Sequence, residues 1–232
     1  KNIINYLSIL KNTKFINQEL NLTGKFENFL NITFDKTFKI TDYDYTNKGK
    51  VNKSFFKLNK SIENSFLEKN IDHLYLKNSN VNIRYAADEK NYIHASGSYS
   101  IDDENYQNYD FKNDIFKDTS NINLNLEFAQ KFSIDFINYN KDYGKLAKIF
   151  LNISTKKNFV NLKEFKYTES KNLILIENLK INKQNITSLK KIKVKTFNKN
   201  NLKNDFILDF GEKIKVFGNR YDAKNLNKFL NQ

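Results

Sequence analysis

Acidic side chains are the residues of this chain whose spacing comes closest to a catalytic arrangement. Asp102, Asp103 and Glu104 are consecutive in the sequence. Asp42 and Asp44 lie two residues apart, which places both on one face of a strand. Glycoside hydrolysis needs two carboxyl groups about 5–9.5 Å apart in a cleft, and this second pair satisfies that distance. The neighbouring residues contain nothing that would raise one pKa, and the chain has no Trp to stack on a sugar. We therefore interpret these acids as solvated charges of loops and strand edges.

The chain has little material for a metal centre or for nucleophilic catalysis. An EF-hand needs alternating acids, a Gly and a distant Glu, and residues 102–104 have neither that spacing nor the Gly. The chain has no Cys and only two histidines, His73 and His94, both in strand-like contexts. We interpret both as structural and expect no thiolate site, zinc site or Ser-His-Asp triad. The prediction is a protein without cofactor, metal or enzymatic activity.

The basic character of the chain has an ordinary explanation. Its 232 residues include 39 Lys and Arg against 26 Asp and Glu, a formal net charge of +13. Asn, Ile, Phe and Tyr are abundant and Pro is absent, as expected from AT-rich codons. Only Arg84 and Arg220 are arginines, whereas sites that grip phosphate or read bases favour the bidentate guanidinium. We therefore attribute the charge to genome composition and predict no nucleic-acid partner.

Apolar residues recur with a period of two along most of the chain, which predicts strands with one apolar and one solvated face. The clearest example runs from Ile122 to Phe128, where apolar residues alternate with Asn and Glu. Asn-rich segments such as residues 77–80 and 198–201 separate these runs and are typical of tight turns. Gly97, inside a strand-like run, is expected at a bulge or a close backbone approach.

The predicted fold is all-β: an elongated, curled antiparallel sheet that forms an open β-groove, with a short helix over residues 223–230. The acidic stretch 102–119 is predicted to be a long loop with one possible strand near Tyr109. No composition break marks a domain boundary within residues 1–232. Because the chain has no Met and begins at Lys1, we expect a single segment of a longer repeating protein.

The apolar sheet face allows more than one interpretation. Side chains at period two ordinarily fill a core between two layers, and Tyr and Phe interleaved with Lys could stack on exposed bases. If the sheet curls without a second layer, its apolar face forms a groove suited to an acyl chain, since each buried CH₂ contributes about 0.8 kcal/mol. The sequence leaves a covered face and an open groove equally possible.

The C-terminal part of the chain resembles a known family. The segments that carry the resemblance are Phe165-Lys166-Tyr167, residues 172–180, residues 192–196, and Val216-Phe217-Gly218-Asn219-Arg220-Tyr221-Asp222-Ala223. This succession of strands, a Gly and an aromatic-Asp-Ala step is similar to the repeating unit of AsmA-like envelope proteins, in particular the large YhdP-type members. The resemblance covers about residues 120–232. The chain departs from typical members in being rich in Lys and Asn and in lacking their N-terminal anchor.

The resemblance implies a hydrophobic groove that takes part in phospholipid transport between the inner and outer membranes of a Gram-negative bacterium, without catalysis. It implies a periplasmic location and attachment to the inner membrane through an anchor outside this segment. Phospholipid acyl chains would be the ligand, and no protein partner is indicated. The groove residues that we predict from the alternation, with lipid contact inferred from the resemblance, are Leu124, Leu126, Phe128, Ile192 and Val194.

Two alternatives to lipid binding come from other classes of protein. The first is a surface adhesin or structural β-repeat domain that binds protein or glycan through its outer face. The second is a carbohydrate-active enzyme, which requires a cleft with two facing carboxyl groups. An apolar sheet face packed completely against a second layer would exclude the groove.

Overall fold

The computed structural model describes residues 16–62, 66–68, 70–87, 90–183 and 185–225, and 76% of these residues belong to strands. Within these residues no helix is long and apolar enough to cross a membrane. The strands are β1 (Ile16–Phe34), β2 (Ile40–Ile62), β3 (Ile71–Ala86), β4 (Asn91–Ser100), β5 (Gln107–Phe116), β6 (Thr119–Phe128), β7 (Phe132–Ile134), β8 (Tyr139–Lys141), β9 (Ala147–Lys156), β10 (Phe159–Glu169), β11 (Asn172–Asn182), β12 (Asn185–Ser188), β13 (Lys191–Asn198), β14 (Asn201–Phe210) and β15 (Ile214–Arg220).

Thirteen of these strands form one antiparallel sheet in which strands that follow one another in sequence are neighbours in space. Its order is β1-β2-β3-β4-β5-β6-β9-β10-β11-β13-β14-β15, and β12 pairs with β11 alone. Strands β7 and β8 form a separate hairpin inside the connection between β6 and β9. Among the described strands β1 and β15 do not pair with each other, so the sheet is open. The predicted all-β, curled antiparallel sheet is therefore confirmed.

A meander places successive turns at opposite ends of the strands. We call one end the top edge, which includes the turns at residues 35–39, 117–118, 157–158, 183–190 and 211–213. The other end is the base edge, which includes residues 101–106, 129–146, 170–171 and 199–200. These two edges and the two sheet faces locate every site described below.

The period-two pattern decides which face each side chain takes. In β6 Leu124 pairs with Phe111 of β5, and Leu126 pairs with Tyr109, so these apolar side chains share one face, which we call the inner face. Asn125 of β6 lies on the outer face and is exposed. The same alternation continues through β9 to β14, so that one apolar face extends across the sheet.

One predicted loop is a strand, and one predicted helix is not described. The loop expected over residues 102–119 ends at residue 106, because its one possible strand near Tyr109 is confirmed as β5 but occupies all of Gln107–Phe116. Its acids misled the prediction: Asp110 and Asp114 lie on the solvated face, where they pair with Lys112 at 3.7 Å and Lys90 at 3.0 Å. The predicted helix over residues 223–230 lies outside the described residues except for 223–225, of which 224 and 225 form a turn.

Gly97 lies where the backbones of β3 and β4 approach closely. The β3–β4 register shifts between Lys77 and Asn80, directly opposite this glycine. A Cβ built on Gly97 would come within 2.5 Å of Ser79 Cα, which no real contact tolerates. The sequence-based expectation of a bulge or close approach at Gly97 is confirmed.

We predict that Gly97→Ala destabilises the sheet by about 1–3 kcal/mol, because β3 must move to admit the methyl group. The control is Gly211→Ala, where the added Cβ meets only Asp209 Oδ1, at 3.8 Å. Urea unfolding followed by circular dichroism measures both variants. Equal stability of the two variants would contradict the close approach.

Candidate functional site

An apolar cavity of about 430 Å³ lies on the inner face where β2 to β6 approach the base edge. Its wall is almost entirely apolar, with Gln107 and Gln130 at the base-edge end. Strands β2 and β3 contribute Leu58, Ile62, Ile71, Leu74 and Leu76, and strands β4 to β6 contribute Ala95, Tyr99, Tyr109, Phe111, Leu124, Leu126 and Phe128. The volume lies within the range of about 300–1,000 Å³ that ligand pockets occupy.

The hydroxyl group of Tyr99, in the aromatic part of the cavity wall, points away from the cavity into the protein. The Tyr99 hydroxyl donates a hydrogen bond of 2.6 Å to the backbone carbonyl of Glu127. Burial, with the nearby Glu127 carboxylate, raises the pKa of Tyr99, so this hydroxyl stays protonated at neutral pH. The ring of Tyr99 packs edge-on against Tyr109 with 6.3 Å between centroids. The cavity therefore offers hydrocarbon surface and no charged group.

The connection between β6 and β9, residues 129–146, folds over part of the inner face, and we call it the plug. It contains β7, a 3-10 turn at Asp135–Ile137 and β8. Gly144 N–H donates to the Ala129 carbonyl at 2.8 Å, which joins the two ends of the plug. Ile137 and Tyr139 of the plug join a buried cluster with Phe128, Ala147, Tyr167, Ile174, Val194 and Phe206. The plug thus covers the base-edge part of β9 to β14 and leaves the cavity beside it.

The plug divides the predicted groove residues into two groups. Leu124, Leu126 and Phe128 line the cavity. Val194 is only 3% exposed and belongs to the buried cluster under the plug, where Ile192 packs partly buried against it. The structure therefore places Leu124, Leu126 and Phe128 side by side at one cavity, while Phe128 also joins Val194 in the packed core and Ile192 lies partly buried against that core.

Asn204 of β14 ties the plug to the sheet. It is fully buried, and its Nδ2 donates to the Ile137 carbonyl and to Thr196 Oγ1, each at 2.8 Å. Its Oδ1 accepts a hydrogen bond from the Asp222 N–H at 2.8 Å. One amide side chain thereby fixes the plug, β13 and the chain that follows β15, with all its hydrogen-bonding groups in use.

A second buried network fixes the hairpin of the plug from the β10 side. The hydroxyls of Tyr139 and Tyr167 lie 2.8 Å apart, and the Tyr139 hydroxyl donates to Glu169 Oε2 at 3.2 Å. Asn172 Nδ2 donates to the same carboxylate oxygen. Burial and its hydrogen bond to Tyr167 raise the pKa of Tyr139 far above the usual value for tyrosine. Both tyrosine hydroxyls therefore stay protonated at neutral pH and add no charge to this network.

Lys141 is the buried cation of the plug, with 1% of its surface exposed. Its Nζ donates to the backbone carbonyls of Gln130 at 2.6 Å and Asp142 at 3.2 Å, and lies 5.4 Å from the centre of the Phe128 ring. Burial lowers the pKa of Lys141 to about 8, although Glu169 and Asp142 oppose the shift. Phe128 thus contacts the cation on one side and lines the apolar cavity.

Three of the five candidate carboxylates, Asp44, Asp102 and Asp103, have structural partners. Asp44 forms two hydrogen bonds with Arg84, at 3.2 and 2.9 Å, and Asp103 pairs with Lys53 at 2.8 Å. Asp102 anchors the turn that follows β4, with its Oδ1 accepting from Ser100 Oγ at 2.7 Å and from the Asn105 N–H at 2.9 Å. Burial opposes ionisation of Asp102, but these hydrogen bonds outweigh it and lower its pKa.

The two histidines also have structural partners. His94 Nε2 lies 3.1 Å from Asp114 Oδ1, and the His73 ring stacks on Phe55 with 5.3 Å between centroids. Among the residues that the structure describes, no group of three or more His, Cys, Asp or Glu side chains could hold a metal ion.

Sequence reasoning missed the plug and most of the cavity wall. Leu74 and Leu76 carried the period-two signal, but only the register of β3 with β4, where Leu76 pairs with Tyr99, shows that they share the cavity. Nothing in the local pattern of residues 129–146 indicates that this connection folds back over the sheet. A cluster of aromatic residues in a connection, such as Phe132, Phe136 and Tyr139, is the one available signal.

Comparison of the chain with protein-family models, with curated proteins and with solved structures finds no match. The resemblance to AsmA-like proteins therefore stays a prediction, together with the location and the transport role that it implies.

We predict that Asn204→Asp destabilises the fold by about 3 kcal/mol or more, because a buried carboxylate would face the Ile137 carbonyl without a donor between them. Asn201→Asp is the control: it makes the same change on the same strand at an exposed site. The measurement is the urea midpoint of each variant. Equal midpoints would show that Asn204 does not hold the plug.

The lowered pKa of Lys141 should make the stability of the fold depend on pH. Its pKa falls from 10.5 to about 8 on folding, so the unfolded chain binds more protons between these values. The free energy of unfolding should therefore rise with pH across this interval, by about 1–3 kcal/mol. Urea unfolding of the wild type and of Lys141→Met at pH 8 and pH 10 isolates the effect, since the tyrosines are common to both proteins. A rise that persists in Lys141→Met would assign it to another group.

Proposed function

We propose that this protein binds phospholipid acyl chains on its inner face and acts as a non-enzymatic lipid-binding or lipid-transfer segment. The observation that carries the proposal is the apolar cavity beside the plug, whose wall is hydrocarbon from five neighbouring strands. A methylene chain is the ligand that such a wall favours, because it gains about 0.8 kcal/mol per buried CH₂ and needs no hydrogen-bond partner.

The shape of the exposed apolar surface also favours a chain-like ligand. The inner face continues beyond the cavity to both edge strands, with Leu30 and Ile32 of β1 exposed at one end and Ile214 and Val216 of β15 at the other. A compact ligand would require a closed pocket with a few convergent polar groups. The apolar side chains that lie along the inner face instead suit a flexible acyl chain.

Two features argue against the alternatives. Of the carboxylates that a glycosidase would need, Asp44 and Asp103 form ion pairs and Asp102 holds a turn, and no carboxylate lines the cavity. An adhesin or structural repeat that binds through its outer face does not require an exposed apolar inner surface. Such exposure costs free energy, because contact of hydrocarbon with water is unfavourable. The acyl-chain site explains this exposure directly.

The proposal predicts that phospholipid co-purifies with the protein after expression in bacteria and appears as bound mass in native mass spectrometry. Leu126→Asp places a carboxylate in the cavity and should reduce the lipid-bound fraction at least about tenfold. Asn125→Asp is the matched control, because it makes a similar acid on the outer face of the same strand and should retain lipid.

Leu124→Trp is a second test that adds no charge. The larger ring fills the cavity and should also displace lipid, which separates blockage of the site from electrostatic damage to the fold. Circular dichroism verifies that each variant is folded. Absence of lipid from the wild-type protein, or full retention by both cavity variants, would overturn the proposal.

A further inference from the structure

Four consecutive turns of the top edge carry the same pair of residue types. The turns after β5, β9, β11 and β14 each combine a lysine with a large apolar residue, as in Phe116 with Lys117 and in Lys213 with Ile214. Lys157 with Phe159 and Lys183 with Ile186 complete the series. Because two strands separate one of these turns from the next, they follow one another along the edge at about 10 Å intervals.

The apolar members of these pairs are accessible to solvent. Phe116 is 51% exposed, Phe159 37%, and Ile186 and Ile214 each 67%. The turns at the base edge of the same strands differ: residues 170–171 are Ser and Lys, and residues 199–200 are Lys and Asn. Exposed hydrocarbon is therefore not a general property of the tight turns of this sheet, and its repetition along the top edge marks an interaction surface.

The positive charges of these turns are largely available to a partner. Lys156 contacts Asp118 at 3.7 Å, whereas Lys117, Lys157 and Lys213 form no ion pair within the described part of the chain. Lys117 Nζ instead lies 5.5 Å from the centre of the exposed Phe116 ring. The edge thus presents cations and hydrocarbon together.

We propose that the top edge docks on the surface of a bilayer that contains anionic lipids. The apolar tips enter the boundary between headgroups and acyl chains, and the lysine ammonium groups lie among the headgroup phosphates. A line of separated tips suits a planar surface that can receive all of them at once. Nucleic acid is a poorer partner, because two of the four tips, Ile186 and Ile214, are aliphatic and offer no ring for base stacking.

Docking by this edge would bring the inner face to the membrane. Ile214 pairs with Phe210, and Ile186 with Ile181, so these two tips continue the inner face to the edge, whereas Phe116 and Phe159 lie at the outer-face ends of their strands. The docking surface does not require lipid in the cavity, and the two proposals can fail separately.

The test is flotation of the purified protein with vesicles of phosphatidylcholine alone or of equal parts phosphatidylcholine and phosphatidylglycerol. We expect binding to the second composition, weakened by salt, and little binding to the first. Lys157→Glu combined with Lys213→Glu should reduce the bound fraction at least about tenfold. Lys171→Glu combined with Lys199→Glu makes the same change in net charge at the base edge and should leave binding within about twofold.

Phe116→Ser combined with Ile214→Ser tests the apolar tips and should also release the protein from anionic vesicles. Equal loss in the base-edge control would show attraction by net charge alone and overturn the proposal. Equal binding to both vesicle compositions, or no binding to either, would overturn it as well. Leu124→Trp, which blocks the cavity, should float like the wild type, so that failure of flotation and failure of lipid binding are distinguishable.

Discussion

The structure depends on one imbalance: among the described residues, the apolar face of the sheet is larger than the area that the connections between its strands cover. Alternation within the strands, interrupted at β-bulges, collects many apolar side chains on the inner face of the thirteen-stranded sheet. The connections that join the strands are mostly short turns, and one of them, the plug, folds back as a second layer. Apolar side chains under the plug are buried in a packed cluster. Beside the plug the apolar side chains line the cavity instead.

The plug is held by polar contacts as much as by packing. The hydrogen bonds of Asn204 and of the Tyr139–Tyr167 pair fix the position of the plug. A shift of the plug would leave buried donors without acceptors, which costs free energy. The Lys141 ammonium group is stabilised by hydrogen bonds to backbone carbonyls and lies near the ring of Phe128, which also belongs to the cavity wall. The boundary between packed core and open groove is therefore set by hydrogen bonds, and a polar substitution there should change the extent of the groove.

Much of the fold could be predicted from local pattern, and the site only in part. The run from Ile122 to Phe128 was enough to assign a strand and its two faces, since side-chain direction depends only on the period. The same reasoning allowed only one possible strand near Tyr109 and missed the full length of β5, because Asp110 and Asp114 on its solvated face resemble the acids of a loop. It also placed Val194 in an open groove, where the plug in fact covers it. That contact joins residues far apart in sequence, and periodicity carries no information about it.

In the function that we propose, hydrocarbon chains lie on the inner face at β6. Site-specific photo-crosslinking tests it most directly, with a photoreactive amino acid at position 124 or at position 125, which are adjacent in the chain and project to opposite faces. When the protein is expressed in bacteria, we expect a phospholipid adduct at position 124, inside the cavity, and none at position 125. Equal adducts at both positions, or an adduct only at 125, would contradict an acyl-chain site on the inner face.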